Sequence, residues 1–377
     1  MKIAFCFLTY GKDIFGGIEN ALYNLTKGIK ETGHDPFVFT SGKYSKKMNL
    51  PAKIYISEHL PTSYDGNTQN LIMALKRKSA EVNKDFDNFI AIHQPDWVIV
   101  VDPIWGILPV TNYNIKSDVS YAISYHIANL WADTQEIMRK SFSMPFDKFL
   151  SVSMFLSDEI RNSFPEAKAV SLETLPNSIN ANNYATHSQP RREYIFCNSR
   201  IAKSKNVETL VAAFAQIHHR YPNLLLKLCG GKFPFADESE EYAKINNLIQ
   251  KHKISKKVEI LPLLSWSEIP QMVSSAKLVV LPSLYETFGI AALEASVSGT
   301  PLIVASATNF KQLVKHSAIF YEPKNTNELA EKICQVVSNY EKYLQEASNK
   351  SQFYKDKYDN KAVARKLIDE ILNNNLQ

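Results

Sequence analysis

The chain has 377 residues, 45% of them apolar and 21% charged, with a net charge of +5. That length exceeds what one hydrophobic core ordinarily supports, so a soluble globular protein of two domains is expected. The four cysteines, Cys6, Cys197, Cys229 and Cys334, show no CxxC or Cys/His clustering, which excludes the usual zinc and disulfide frameworks and suits a reducing cytoplasm.

Ile3–Leu8 is a short apolar run followed at once by the polar Thr9-Tyr10-Gly11-Lys12-Asp13, so it reads as a first buried strand rather than a signal peptide. Gly16-Gly17-Ile18-Glu19 follows and opens a helix in which Ile18, Leu22, Leu25 and Ile29 recur at helical spacing until Gly33. The glycine pair permits a ligand to approach backbone amides, although such a pair alone is as often a plain loop. Pro36–Thr40 is the next strand. Asp85-Phe86-Asp87 spells a metal-binding DxD, but that motif must end a buried strand. Here it follows Lys84 and the polar stretch Lys78–Asn83, which reads as a solvated helix end, and no metal is expected.

Trp97–Val101 is a third strand. The apolar stretch from Trp97 to Val110 is broken by Asp102, Pro103 and Gly106, and no run approaches the roughly 18 apolar residues of a membrane span, which leaves at most peripheral association. Ser120–Tyr125 and Phe149–Val152 complete the first set. His126 stands at the carboxyl edge of Ser120–Tyr125, where parallel sheets face their ligands; a lone histidine is more often packed or capping.

The same grammar restarts after Pro176–Asn180, through the polar linker Asn182–Arg192, with strands Tyr194–Cys197, Leu224–Leu228, Val258–Leu261, Leu278–Leu281 and Pro301–Val304. Strands alternating with helices imply parallel sheets with crossover helices, in two doubly wound, Rossmann-like halves. The boundary is placed near residue 185. Residues 1–185 hold 18 Lys/Arg against 19 Asp/Glu, and 186–377 hold 25 against 19. The basic excess of the second half suits a diphosphate, whereas nucleic acid is disfavoured because no dense Lys/Arg run interleaves with aromatics. The acidic cluster Asp237–Glu241 reads as an exposed loop.

Three motifs in the second half carry chemistry. Arg200 and Lys205 flank the turn after Tyr194–Cys197, and a guanidinium fork with a lysine point charge is what a diphosphate needs when no metal neutralises it. Leu226-Lys-Leu-Cys-Gly230-Gly231 is a strand ending in a glycine turn. Most specific is Pro282-Ser-Leu-Tyr-Glu286-Thr287-Phe288-Gly289-Ile290-Ala-Ala-Leu-Glu294, which sets two carboxylates eight residues apart across a strand, a loop and a helix. Glu286 lies just before the helix N-terminus, where free N–H groups and the dipole attract anionic or hydroxyl-rich ligands. Glu294, inside the helix, is an acceptor-only group able to clamp a vicinal diol such as a ribose.

The last string resembles the glutamate-x7-glutamate motif of glycosyltransferase family 4, and essentially the whole chain follows the family's order of motifs. The turn at Arg200 resembles its Gly-Arg-Leu…Lys-Asn-Val segment, with Ser199 in place of the glycine, and Gly16-Gly17-Ile18-Glu19 resembles its Gly-Gly-x-Glu. The resemblance implies a GT-B fold, two Rossmann-like domains facing a cleft: an acceptor domain over 1–185, a donor domain over 186–357, and a terminal helix from about 358 packing back on the first. It also implies a retaining, metal-independent transfer of a hexose or N-acetylhexosamine from a nucleotide-diphosphate sugar, UDP-linked by preference, to an acceptor hydroxyl of a small molecule. A cell-surface glycan or lipid-linked saccharide is the alternative acceptor, and a sugar-nucleotide epimerase or a non-catalytic binding protein the alternative class. Arg200 and Lys205 are then assigned to the leaving diphosphate, and Glu286 and His126 to the transferred sugar. Gly16, Gly17, Gly230, Thr287, Phe288, Gly289 and Ile290 are assigned to the donor, Glu294 to its ribose, and Trp131 and Asp133 to the acceptor side, with core packing an equal reading for Trp131.

Overall fold

The computed structural model describes residues 1–11, 16–42, 49–62, 64, 66–116, 118–184, 192–230 and 236–372, the last segment without the side chains of 236–239. Gly231, most of the linker after 184 and the side chains of 237–239 in the acidic cluster lie outside the described residues. The chain divides into two compact units, Met1–Ile179 with Tyr358–Gln377, and Asn180–Lys357.

In the first unit, β1 (Lys2–Cys6), β2 (Asp35–Thr40), β3 (Lys53–Ile56), β4 (Trp97–Val101), β5 (Ser120–Tyr125), β6 (Lys148–Ser151) and β7 (Leu172–Thr174) form a parallel sheet in the order β3-β2-β1-β4-β5-β6-β7. The central strands are buried along their whole length, as the unbroken run Trp97-Val-Ile-Val-Val101 illustrates, because helices cover both faces of such a sheet. The helix Gly17–Glu31 lays Leu22 and Ile29 on Ile3, Phe5, Val38 and Ile99. The terminal helix Asn360–Leu372 joins the same core through Val363, Ala364, Leu367, Ile368 and Ile371. Its anchors are polar as well. Asn360 Nδ2 donates to Glu31 Oε2 at 3.2 Å and Lys148 Nζ to Glu370 Oε1 at 2.9 Å.

In the second unit, β8 (Arg192–Asn198), β9 (Leu225–Cys229), β10 (Val258–Ile260), β11 (Ala276–Leu281), β12 (Leu302–Ala305) and β13 (Ala318–Tyr321) form a parallel sheet in the order β10-β9-β8-β11-β12-β13. The helices Val207–Ile217 and Thr326–Ser338 pack Leu210, Val211 and Phe214 with Leu329 and Ile333 against Ile195, Leu278 and Ile303. Three strands were not foreseen from sequence: β3, β7 and β13 each lie at a sheet edge. They are short and mostly half-buried, so the apolar signal that marks an interior strand is diluted. No described helix is long and apolar enough to cross a membrane.

The strand order also sets where the loops of each sheet diverge. From β8 the chain runs outward to β9 and β10, then crosses back to β11 on the other side of β8. At such a switch point the loops leaving adjacent strands diverge and open a crevice beyond their carboxyl ends. The first unit has its own switch between β1 and β4.

Candidate functional site

Beyond the carboxyl ends of β8 and β11, the segments 199–206 and 282–289 lie side by side. Three bonds lock these segments together. Leu284 N donates to Ser204 O at 2.8 Å, Asn206 Nδ2 to Pro282 O at 3.2 Å, and Lys205 Nζ to Glu286 Oε1 at 2.6 Å. Lys205 ends a short 3₁₀ turn, Lys203–Lys205, after which Asn206 takes the left-handed conformation, φ 52°, and starts the helix Val207–Ile217. Asparagine tolerates that region better than most residues because its short amide bonds locally; here Asn206 Oδ1 accepts from Thr209 Oγ1 at 2.9 Å.

The far side of the 282–289 loop is pinned too. Glu286 N donates to Thr308 Oγ1 at 3.0 Å, and Asn309 Nδ2 donates to Phe288 O at 2.6 Å. Phe288 is buried, while Thr287 and Ile290 are half-buried. Gly289 caps the helix Ile290–Ser298 with φ 99°, and a Cβ there would sit 2.7 Å from Phe310 Cε1. Both the backbone angle and the space demand glycine. The loop therefore holds the Glu286 carboxylate and the first amides of that helix in fixed relation, an arrangement suited to hydroxyls and partial negative charge.

Arg200 is exposed in the segment that follows β8. Gly230, at φ 113° after β9, lets the next turn nest against it: a Cβ at 230 would lie 2.8 Å from Ser199 O and 2.9 Å from Arg200 Cα. The contact uses the backbone of residue 199, so a serine in place of glycine there leaves this approach intact.

Glu294 is placed deeper than a surface clamp. Its side chain lies inside the helix Ile290–Ser298 and only 3% of the residue is exposed. Oε1 accepts from Tyr184 Oη at 3.0 Å and Oε2 from Asn198 Nδ2 at 2.5 Å. Burial pushes its carboxyl up to about 7, against the opposing pull of those two bonds. Sequence reasoning missed Tyr184, Asn198, Thr308 and Asn309. Of these only Asn198 carried a signal, a polar residue directly after the apolar Tyr194–Cys197 at the carboxyl end of a strand.

In the first unit His126 follows β5, half-buried, with Nε2 3.3 Å from Ser124 Oγ. Its Nδ1 is buried and has no hydrogen-bond partner among the described residues. Burial depresses the imidazole to about 3, so it is neutral across the physiological range. It lines a small pocket with Leu22, Leu25, Val101, Asn177 and Ser178. Gly16, expected to let a ligand approach its amide, stands at the cap of its helix. Its φ is 178°, ordinary extended backbone, and the position its Cβ would take lies 1.8 Å from Glu19 Oε2. Glu19, third in the helix that Gly17 begins, folds back over the cap as such glutamates do, and its Oε1 accepts from Thr9 Oγ1 at 3.0 Å.

Trp131 is 61% exposed, which removes the core-packing reading, and Asp133 beside it is half-buried. The loop that presents them is tied by several hydrogen bonds. Trp131 O accepts from Thr134 N and Thr134 Oγ1 at 2.9 and 2.8 Å, and Asn129 Nδ2 donates to the buried Asp102 Oδ2 at 3.2 Å. Asp102, also missed, directly follows β4 at φ 68° and collects the amides of Ile104 and Trp105.

The solvated helix end expected at the DxD string is corrected. Asp85 and Asp87 lie in the body of the helix Ser79–His93. Asp85 Oδ2 accepts from Ser57 Oγ and His59 Nδ1, and Asp87 Oδ1 accepts from Tyr113 Oη and Lys116 Nζ. Among the described residues no group of three His, Cys, Asp or Glu is disposed to hold a metal.

Residues 181–375 match the family model of the glycosyl transferases group 1. An uncharacterized glycosyltransferase of Methanocaldococcus jannaschii is 24% identical over 98% of this chain and 97% of its own length. The alpha-D-kanosaminyltransferase of Streptomyces kanamyceticus is 25% identical over 61% of this chain, which spans about half of that relative (55%). Among solved structures, sucrose-phosphate synthase from Thermosynechococcus elongatus superimposes with a TM-score of 0.79 at 17% identity, covering 99% of this chain and 98% of that one. Anabaena HepE, in complex with UDP and glucose, gives 0.77 at 17% identity, covering 98% and 99%.

Proposed function

The chain belongs to the glycosyl transferases group 1 family and is a glycosyltransferase of the GT-B fold; from that premise we propose that it transfers a hexose or N-acetylhexosamine from a UDP-sugar to an acceptor hydroxyl with retention of configuration. The observation that carries this reading is the Lys205–Glu286 pair, which sets a cation and a carboxylate 2.6 Å apart at the crevice of the second unit. A leaving diphosphate needs the first, and the hydroxyls of a sugar suit the second. The UDP found with Anabaena HepE supports the choice of nucleotide.

In this reading the bond between the anomeric carbon and the diphosphate breaks through an oxocarbenium-like transition state, and negative charge grows on the leaving group. Lys205 and Arg200 stabilise that charge from fixed positions, a preorganised electrostatic effect. Glu286 and the amides at Phe288 and Gly289 hold sugar hydroxyls, Glu294 accepts from the ribose, and His126 offers a neutral imidazole to the sugar. The acceptor proton passes to the departing phosphate, so no side chain is assigned as nucleophile. Trp131 and Asp133 form the acceptor side, with a small hydroxylated molecule as acceptor.

No metal is assigned a part. The test is incubation with a panel of nucleotide sugars and acceptors, read by mass spectrometry, with and without EDTA. Transfer from a UDP-hexose with EDTA present is expected. Loss of activity on chelation overturns the metal-free reading, and transfer only from another nucleotide overturns the choice of UDP.

A further inference from the structure

Glu294 is an unusual carboxylate to assign to a ligand, because almost all of it is out of water. A buried carboxylate without a cation survives only if hydrogen bonds replace its hydration. Here two neutral donors do so, one on each oxygen: the Tyr184 phenol from the segment ahead of β8, and the Asn198 amide at the end of β8. Tyr184 is itself 6% exposed, so its ring is fixed by packing and its hydroxyl has one direction to point.

A carboxylate offers about four lone-pair positions. Two donors on opposite oxygens fix its plane and leave an acceptor position on each oxygen. We propose that Tyr184 and Asn198 are positioning residues for nucleotide recognition: they orient Glu294 and favour its ionised form, and through it they confer selection for a nucleotide that carries both ribose hydroxyls. This inference rests on the assignment of Glu294 to the ribose. It adds two residues to which neither the family motif nor the chemistry of the leaving group gives a role.

The local electrostatics agree. Among the described residues the titratable groups facing Glu294 are Tyr184 and, from β9, Cys229, and burial holds both well into their neutral range. No lysine or arginine bonds to Glu294 among the described residues, so the two neutral donors carry the task of opposing burial. Losing either one favours the protonated acid, which no longer offers both oxygens as acceptors.

The test measures binding of the tightest of UDP, GDP and ADP, and of its 2′-deoxy counterpart, by calorimetry from pH 5.5 to 9. The proteins compared are the parent chain and its Tyr184→Phe, Asn198→Ser and Glu294→Gln variants. Tyr184→Phe keeps the buried ring, and Asn198→Ser carries the same expectation should the first fail to fold. In the parent, affinity rises with pH as Glu294 ionises. In either positioning variant the rise moves about one pH unit or more to alkaline, affinity at pH 7 falls about tenfold, and the preference for the ribonucleotide over its 2′-deoxy form shrinks by a similar factor. Glu294→Gln abolishes the preference and the part of the rise that lies above about pH 7, leaving only the ionisation of the diphosphate itself near pH 6. If Glu294→Gln behaves so while both other variants match the parent, the positioning role is wrong and the ribose assignment stands. If Glu294→Gln itself matches the parent, or no nucleoside diphosphate binds, the ribose assignment falls and this inference with it.

Discussion

Lys205 Nζ donates to Glu286 Oε1 at 2.6 Å, joining the loop after β8 to the loop after β11, and both side chains are more than four-fifths buried. An anion that bonds this ammonium competes with Glu286 for it, so the pair couples the phosphate and sugar ends of the proposed donor site. Lys205→Ala removes charge that matters most when the diphosphate departs. We expect kcat to fall by about 10²–10³-fold with donor affinity within a few-fold of the parent. Steady-state kinetics beside calorimetric donor binding separates the two, and an unchanged kcat sinks the phosphate assignment.

Glu294 gives a stability prediction independent of any substrate. Burial raises its carboxyl from 4.5 to about 7, so between those pH values the folded protein retains a proton that the unfolded chain has released. Its contribution is most favourable below about pH 4.5, declines as pH rises, and levels off above about 7. Glu294→Gln removes the penalty of the buried charge. It is expected to stabilise the fold at pH 8 by at most about 3 kcal/mol, and by much less at pH 5. Urea denaturation at the two pH values measures this; an equal effect at both means the carboxyl is not shifted.

His126 works in the opposite sense. Burial lowers it from 6.5 to about 3, so the unfolded chain binds the extra proton across that window. The group's contribution is full above about pH 6.5 and is lost as pH falls toward 3. His126→Asn is expected to flatten the acid limb of the stability curve, with the effect reduced by the partial exposure of the ring. The same neutrality means that activity between pH 5.5 and 8 does not follow His126. A ring-proton NMR titration with a midpoint near 6.5 refutes both statements.

The architecture was legible in sequence where burial was complete. Trp97–Val101 and Leu278–Leu281 are buried on both faces and read as strands because nothing polar interrupts them, whereas β3, β7 and β13 sit at edges and carry mixed faces. The motif residues were legible as a linear string, and the structure adds why the string is arranged so: the order β9-β8-β11 brings residue 205 beside residue 286. The supports of Glu294 were not legible. Tyr184 lies 110 positions from its partner and Asn198 lies 96, and single polar residues in unremarkable surroundings carry no periodicity. Glu19 shows the reverse case, since its spacing from Gly16 is a capping pattern and points to a helix start before it points to a ligand.

The cap of the helix Ile290–Ser298 gives the sharpest test of loop geometry. Gly289 stands at φ 99°, and an added Cβ would lie 2.7 Å from Phe310 Cε1 and 3.1 Å from Cδ1. Gly289→Ala therefore combines backbone strain with overpacking, for which we expect a loss of about 2–4 kcal/mol of stability. The damage extends to function because Phe310 is fully buried and adjoins Asn309, whose Nδ2 holds Phe288 O and whose backbone N lies 3.4 Å from Glu286 O. Pushing the ring aside shifts the support of the loop that presents Glu286, so kcat should fall even at temperatures where the variant is fully folded. Phe310→Leu in the same chain makes room and should recover part of the stability while the strain at residue 289 remains. Thermal denaturation with kinetics on the single and double variants decides it: if Phe310→Leu restores nothing, the ring is not what the new methyl meets.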